Sequence, residues 1–161
     1  MVSWRPSGRS LLLLGIVFGI ALWLGVREMP PPGPAVPARV REALVPAPDC
    51  DAARTPCTGF GDGVEVRLRI RPGARALEPF PLQVQVSGEA AAEIREVRVR
   101  FEMPGMDMGR NRYRLEHRGQ GLWGAEVILP LCTTGRRDWL ALVELELGDR
   151  VLEGRFPFVT R

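Results

Sequence analysis

Val64-Glu65-Val66-Arg67-Leu68-Arg69-Ile70 alternates apolar and charged residues without a fault, and Pro72-Gly73 closes the run. Side chains on a strand point alternately to opposite faces, so a period of two puts the aliphatic groups on one side and every charge on the other. The stretch is a half-buried strand with one wet face. The same pattern recurs on its carboxyl side. Phe80 to Ser87 turns Leu82, Val84 and Val86 inward, and Val97, Val99 and Phe101 alternate with Arg98, Arg100 and Glu102.

Arg112 to His117, Leu122 to Leu129, Asp138 to Leu147 and Arg150 to Val159 complete a set of seven runs separated by turn residues. That number of short strands in about 100 residues predicts an all-β fold, a seven-stranded immunoglobulin-like antiparallel sandwich over residues 63–161. Trp123, Trp139, Phe156 and Phe158 supply its bulky core.

The amino-terminal end follows a different rule. Leu11 to Val26 is uncharged and is flanked by Arg9 and Arg27. At 1.5 Å per residue it covers roughly 24 Å of a hydrocarbon core of about 30 Å, and snorkelling arginines make up most of the difference. A cleaved signal peptide shares the basic start and apolar middle. The sequence after Val26, Arg-Glu-Met-Pro-Pro-Pro, offers no small-x-small site, which favours an uncleaved transmembrane helix in residues 1–28. A short amino-terminal tail with two arginines is the usual form of an anchor whose carboxyl-terminal domain is translocated. The expected location is the bacterial inner membrane, single-pass, with the domain in the periplasm. Residues 29–62 are then a linker plus a cysteine loop, and the prolines between Met29 and Pro48 favour extended polyproline geometry.

The chain has 22 arginines, no lysine and 19 acidic residues. Two of the arginines, Arg5 and Arg9, precede the apolar segment and all the acids follow it, so the body carries 20 − 19 = +1. A nucleic-acid footprint needs cationic excess on one face, and no such partner is expected. Carboxylates such as Glu144 and Glu146 alternate outward along one strand and read as a solvated face. Gly59-Phe60-Gly61-Asp62-Gly63 reads as a loop, because no helix follows it as a dinucleotide fingerprint requires. His117 stands near a strand end as a surface residue. No nucleophile–base or paired-carboxylate set can be assembled, so an enzyme is not expected.

Cys50 and Cys57 enclose six residues, which suits a small disulfide-closed loop in an oxidising compartment and not a CxxC redox or zinc pair. Cys132 is then the odd thiol, although a Cys57 to Cys132 pairing is also open at this level. Met103-Pro104-Gly105-Met106-Asp107-Met108-Gly109 concentrates three of the five methionines of the chain in a turn. Methionine is usually dispersed as a core filler. Thioethers are soft donors that prefer copper(I), so Met106 and Met108 are candidate ligands and Met103 a further one. Met103 also continues the apolar face of its strand. If the seven strands run simply up and down, the loop holding Cys132 falls at the same end as the methionine turn, making Met106, Met108 and Cys132 neighbours. The Cys50/Cys57 segment would enter at the opposite end.

Phe101-Glu-Met-Pro-Gly-Met-Asp-Met-Gly109 and Gly121-Leu-Trp-Gly124 resemble the YtkA-like and FixH-like group of bacterial proteins, which carry one membrane anchor and an extracytoplasmic immunoglobulin-like domain. The resemblance implies copper handling and the supply of copper to haem-copper oxidases, with an oxidase-assembly or copper-chaperone protein as partner. This chain departs from the group in lacking histidine in the methionine loop and in adding its three cysteines. The expected function is copper(I) binding for delivery; the alternative is a metal-free periplasmic module that docks on a membrane complex.

Overall fold

The computed structural model describes residues 40–160. The expected membrane segment and most of the Pro-rich stretch lie outside these residues. Ten strands are formed within them: β1 (Val40–Pro46), β2 (Cys57–Gly61), β3 (Val64–Ile70), β4 (Phe80–Gly88), β5 (Ile94–Glu102), β6 (Arg112–Arg114), β7 (Glu116–His117), β8 (Leu122–Val127), β9 (Asp138–Leu147) and β10 (Arg150–Val159). A 3-10 turn, Glu89–Glu93, joins β4 to β5.

The all-β expectation holds, but the strand count and the boundary at residue 63 do not. Two strands precede that boundary, in the stretch assigned to linker and loop. β1 carries little alternation, since Leu44 is its one buried residue. β2 reads as a loop because of its glycines, yet these serve packing. A Cβ on Gly59 would stand 2.9 Å from the Phe156 ring, and one on Gly61 2.7 Å from the Ala43 carbonyl oxygen. Both distances are below any ordinary contact, so glycine is what lets β2 close against its neighbours. The expected strand from Arg112 to His117 is two strands. Arg112–Arg114 pairs with β5 and Glu116–His117 pairs with β8. Between them Leu115 turns into the core at 2 % exposure.

The pairing order is β6-β5-β9-β10-β1-β2-β3-β4-β8-β7. β1 takes part in two layers. Val40 to Leu44 run parallel to Arg150 to Gly154 of β10, whereas Val45 and Pro46 pair antiparallel with Phe60 and Gly59 of β2. All other pairs are antiparallel. The inner faces of β6-β5-β9-β10 and β2-β3-β4-β8 meet across an aromatic centre. Phe80 of β4 lies 6.3 Å from Phe101 of β5, and Phe101 lies 5.9 Å from Phe158 of β10, ring centre to ring centre. Each fully buried phenylalanine contributes about 1.5–3 kcal/mol of transfer free energy. The four expected aromatics are all in the core, with Phe80 and Phe101 added.

The outer face of the β5–β9–β10 layer is not the plain solvated surface that alternation suggests. Glu144 is only 4 % exposed and Leu142, also directed outward, is fully buried. Leu142 is flanked in register by Arg100 and Arg155, and long arginine stems characteristically lie over apolar surface. Arg41 and Arg112 approach the Glu144 carboxylate at 3.7 and 3.6 Å.

Register fixes which loops share an end. Val40 pairs with Arg150, next to the β9–β10 turn. The opposite end gathers the loops after β1, β3, β5 and β8. The expectation that the Cys50/Cys57 segment enters away from the methionine loop is therefore corrected. Unforeseen β2 runs antiparallel to β3, with Cys57 opposite Leu68, and this carries the cysteines to the methionine end.

Candidate functional site

Met103 extends the inward set Val97, Val99 and Phe101 by one step and is 1 % exposed. The chain then reverses. The Met106 N–H donates to the Met103 carbonyl at 3.0 Å, with Pro104 and Gly105 at the corners and Gly105 at φ 78°. Proline at the second position and a positive φ at the third define a type II turn. Beyond it the loop is closed by its own polar groups. The Gly109 N–H donates to the Asp107 carboxylate at 2.8 Å. Asn111 accepts the Phe101 N–H at 2.6 Å and donates to the Met108 carbonyl at 3.1 Å. Met106 and Met108 are half-buried and pack partly against the core.

The loop between β8 and β9 crosses to meet this turn. Tyr113 ties down its start, donating to the Ile128 carbonyl at 2.7 Å and accepting the Ile128 N–H at 3.2 Å. Arg136 fixes its end. The guanidinium donates to the Pro104 carbonyl at 2.7 Å and to the Asp138 carboxylate through Nε at 3.0 Å. Between these ties the Cys132 thiol lies 3.4 Å from Met103 Sδ and 3.1 Å from Thr134 Oγ1. The Thr134 hydroxyl in turn lies 3.7 Å from Met106 Sδ.

The expected juxtaposition of the two loops is thus present, with a different inner membership. Cys132 touches Met103 directly and reaches Met106 through Thr134. Met108 makes none of these sulfur contacts; it lines a cleft of about 840 Å³ with Met103 and Met106. Sequence reasoning passed over Thr134, Arg136 and Asn111. The segment Thr133-Thr134-Gly135-Arg136 directly after Cys132 was the available signal, because hydroxyls and turn amides next to a thiol are what hold its anion.

The Cys132 thiol sits below its ordinary range. The Thr134 hydroxyl is the main cause, opposed by partial desolvation and aided by the backbone N–H groups of Thr134, Arg136 and Gly135. The Asp138 carboxyl is likewise held low, chiefly by its hydrogen bond from Arg136. These groups make the rim chemically soft and anion-stabilising. It offers a thiol poised to ionise, one buried and one half-buried thioether, and a hydroxyl.

Cys50 and Cys57 form a disulfide with a Cα separation of 5.5 Å, and Cys132 is a free thiol. The disulfide loop is knitted into the same end. Ala52 donates to the Pro157 carbonyl at 3.0 Å, and the Asp51 carboxylate accepts N–H groups from Ala53 and Val159 at 3.1 and 3.3 Å. Cys50, Asp51, Pro104 and Trp139 line a smaller cleft of about 260 Å³ beside the methionine turn. His117 lies elsewhere, its ring centre 4.6 Å from Trp123. Among the described residues no group of three or more His, Cys, Asp or Glu side chains is arranged to hold a metal ion.

No family model and no curated protein matches the chain. Among solved structures, the endo-beta-1,4-mannanase from Thermotoga petrophila aligns with a TM-score of 0.41 at 14 % identity, covering 63 % of this chain and 20 % of that one. A likeness of that size carries no functional argument, and the site must be read from its own atoms.

Proposed function

We propose that this chain is a membrane-anchored periplasmic carrier with an immunoglobulin-like domain, and that its loop-rich end binds copper(I) for delivery to an oxidase-assembly partner. The single observation that carries the reading is the 3.4 Å approach of Cys132 Sγ to Met103 Sδ, between two loops distant in sequence. Thiolate and thioether donors select copper(I) over hard or borderline ions. Met106 is the next donor, one hydroxyl away from the thiol. Copper is here cargo and not a resident group, and a carrier must release what it takes. Partial exposure of Cys132 suits exchange, and capture of the ion displaces the thiol proton. The resemblance of the methionine stretch to the YtkA-like and FixH-like group supports the same reading.

Competitive titration of the full chain with copper(I) and a chelator tests the reading. Cys132→Ser combined with Met106→Leu is expected to weaken binding by at least about tenfold, equivalent to about 1.4 kcal/mol. Unchanged affinity would refute it. A second reading is favoured by the packing of Met106 and Met108 against the core. In it the domain is a metal-free module docking on a membrane complex, and Met106→Leu with Met108→Leu leaves the partner bound.

A further inference from the structure

Two cross-strand pairs of arginines stand side by side on β5 and β6, Arg98 opposite Arg114 and Arg100 opposite Arg112. Like charges directly opposite each other are unfavourable unless something neutralises them. The first pair is neutralised. Glu96 bridges to both Arg98 and Arg114, and Glu146 also reaches Arg98. The second pair has no shared carboxylate. Arg100 holds Glu102 at 2.6 Å, whereas Arg112 comes no nearer than 3.6 Å to Glu144. The Nε of Arg100 is buried with no hydrogen-bond acceptor.

This more loosely neutralised pair, with Glu153 3.9 Å from Arg100 and Glu144 3.6 Å from Arg112, lines the 840 Å³ cleft under the methionine loop, together with Arg110 and Arg155. Arg110 has no ion pair among the described residues, and Arg155 stands 3.8 Å from Glu153, a carboxylate already held by Arg41 at 2.8 Å. Against these four cations the cleft walls offer Glu102 and Asp107, with Glu144 and Glu153 reaching Arg112, Arg100 and Arg155 from β9 and β10. Asp107 accepts the Gly109 N–H and Glu102 is bound to Arg100, so both are engaged. Register also aligns the cations. Arg112, Arg100, Leu142 and Arg155 form one row across β6, β5, β9 and β10. At about 4.8 Å per strand the row is roughly 14 Å long. A single small oxyanion cannot span it, whereas acidic residues along an extended peptide can. Guanidinium forks match carboxylates in plane and in spacing.

We propose that this cleft docks an acidic protein segment, its carboxylates taken by Arg100, Arg110, Arg112 and Arg155. The inference goes beyond copper binding and does not depend on it. The probe is a fluorescein-labelled hexaglutamate peptide, titrated by anisotropy against the full chain without copper. Binding is expected to weaken as salt is raised, because the row is partly solvent-exposed. Arg110→Gln with Arg155→Gln is expected to lower affinity by at least about tenfold, the loss of one or two charge-assisted contacts. The matched double variant Arg67→Gln with Arg69→Gln, on the other layer, should stay within about twofold. Equal losses in the two variants would overturn the assignment. So would no measurable peptide binding, or tighter binding of an oligonucleotide of the same charge.

Discussion

Replacing Met103 separates packing from ligation at one atom. The side chain is 1 % exposed and its sulfur meets the Cys132 thiol at 3.4 Å. Met103→Ala removes buried atoms from a site walled by strand, turn and facing loop, where collapse is restricted. A core methionine truncated to alanine costs about 2–5 kcal/mol. Taking about 3 kcal/mol and a urea slope of about 1.5 kcal/mol per molar, the unfolding midpoint falls by about 2 M. Met103→Leu nearly conserves volume and should cost less than about 1.5 kcal/mol, moving the midpoint by under about 1 M. It nevertheless removes the soft donor. The expected pattern is near-native urea stability with copper(I) affinity reduced by at least about tenfold for leucine, and loss of both for alanine. A leucine variant that holds copper(I) as the wild type does would remove Met103 from the ligand set. An alanine variant with an unshifted midpoint would refute its place in the core.

Two further outcomes follow from the same end of the domain. The folded Cys132 thiol is depressed mainly by Thr134, so the stability it adds is fully present above the unfolded thiol value of about 8.5 and is lost as pH falls through the lower folded value. Alkylation rate against pH should therefore rise at lower pH than for a free thiol, and Thr134→Val should move that profile upward; an unmoved profile would show that the hydroxyl does not hold the anion. Opening the Cys50–Cys57 disulfide by double serine substitution removes a loop with a sequence separation of 7, which the chain-entropy relation values at about 2.5 kcal/mol. Urea midpoints with and without the bridge read this directly, and an identical midpoint would show the loop to be held by its backbone contacts alone.

Much of the sandwich is legible because alternation is a strong signal where one face is buried and one is wet. β3, β9 and β10 begin and end where their patterns do. The signal fails where a strand buries little or buries glycine. β1 turns one residue inward, and β2 shows Gly59 and Gly61 where a packed strand ordinarily shows side chains. Missing β2 also reversed the end assigned to the disulfide, since one added strand flips every loop before it. The meeting of the methionine and Cys132 loops followed from strand direction alone. Which sulfur meets which did not, because it depends on the type II turn at Pro104-Gly105 and on the tether from Arg136 to the Pro104 carbonyl. Glu144 was misjudged for a related reason: alternation reports the face a side chain takes and says nothing of long arginines folding over it.

Among the described residues, the double allegiance of β1 shortens the open flank of the sandwich. Strands at the margin of a sheet expose unpaired amides and carbonyls and invite pairing with other chains. Here the ends of the pairing order are β6 and β7, three and two residues long, and the chain passes straight from one to the other through Leu115. On the other margin β1 pairs with the first half of β10, Arg150 to Gly154, and with Gly59 and Phe60 of β2. Trimming the chain up to Pro46 would unsheathe β10 and β2 together, turning a self-contained body into one prone to stack with its own copies.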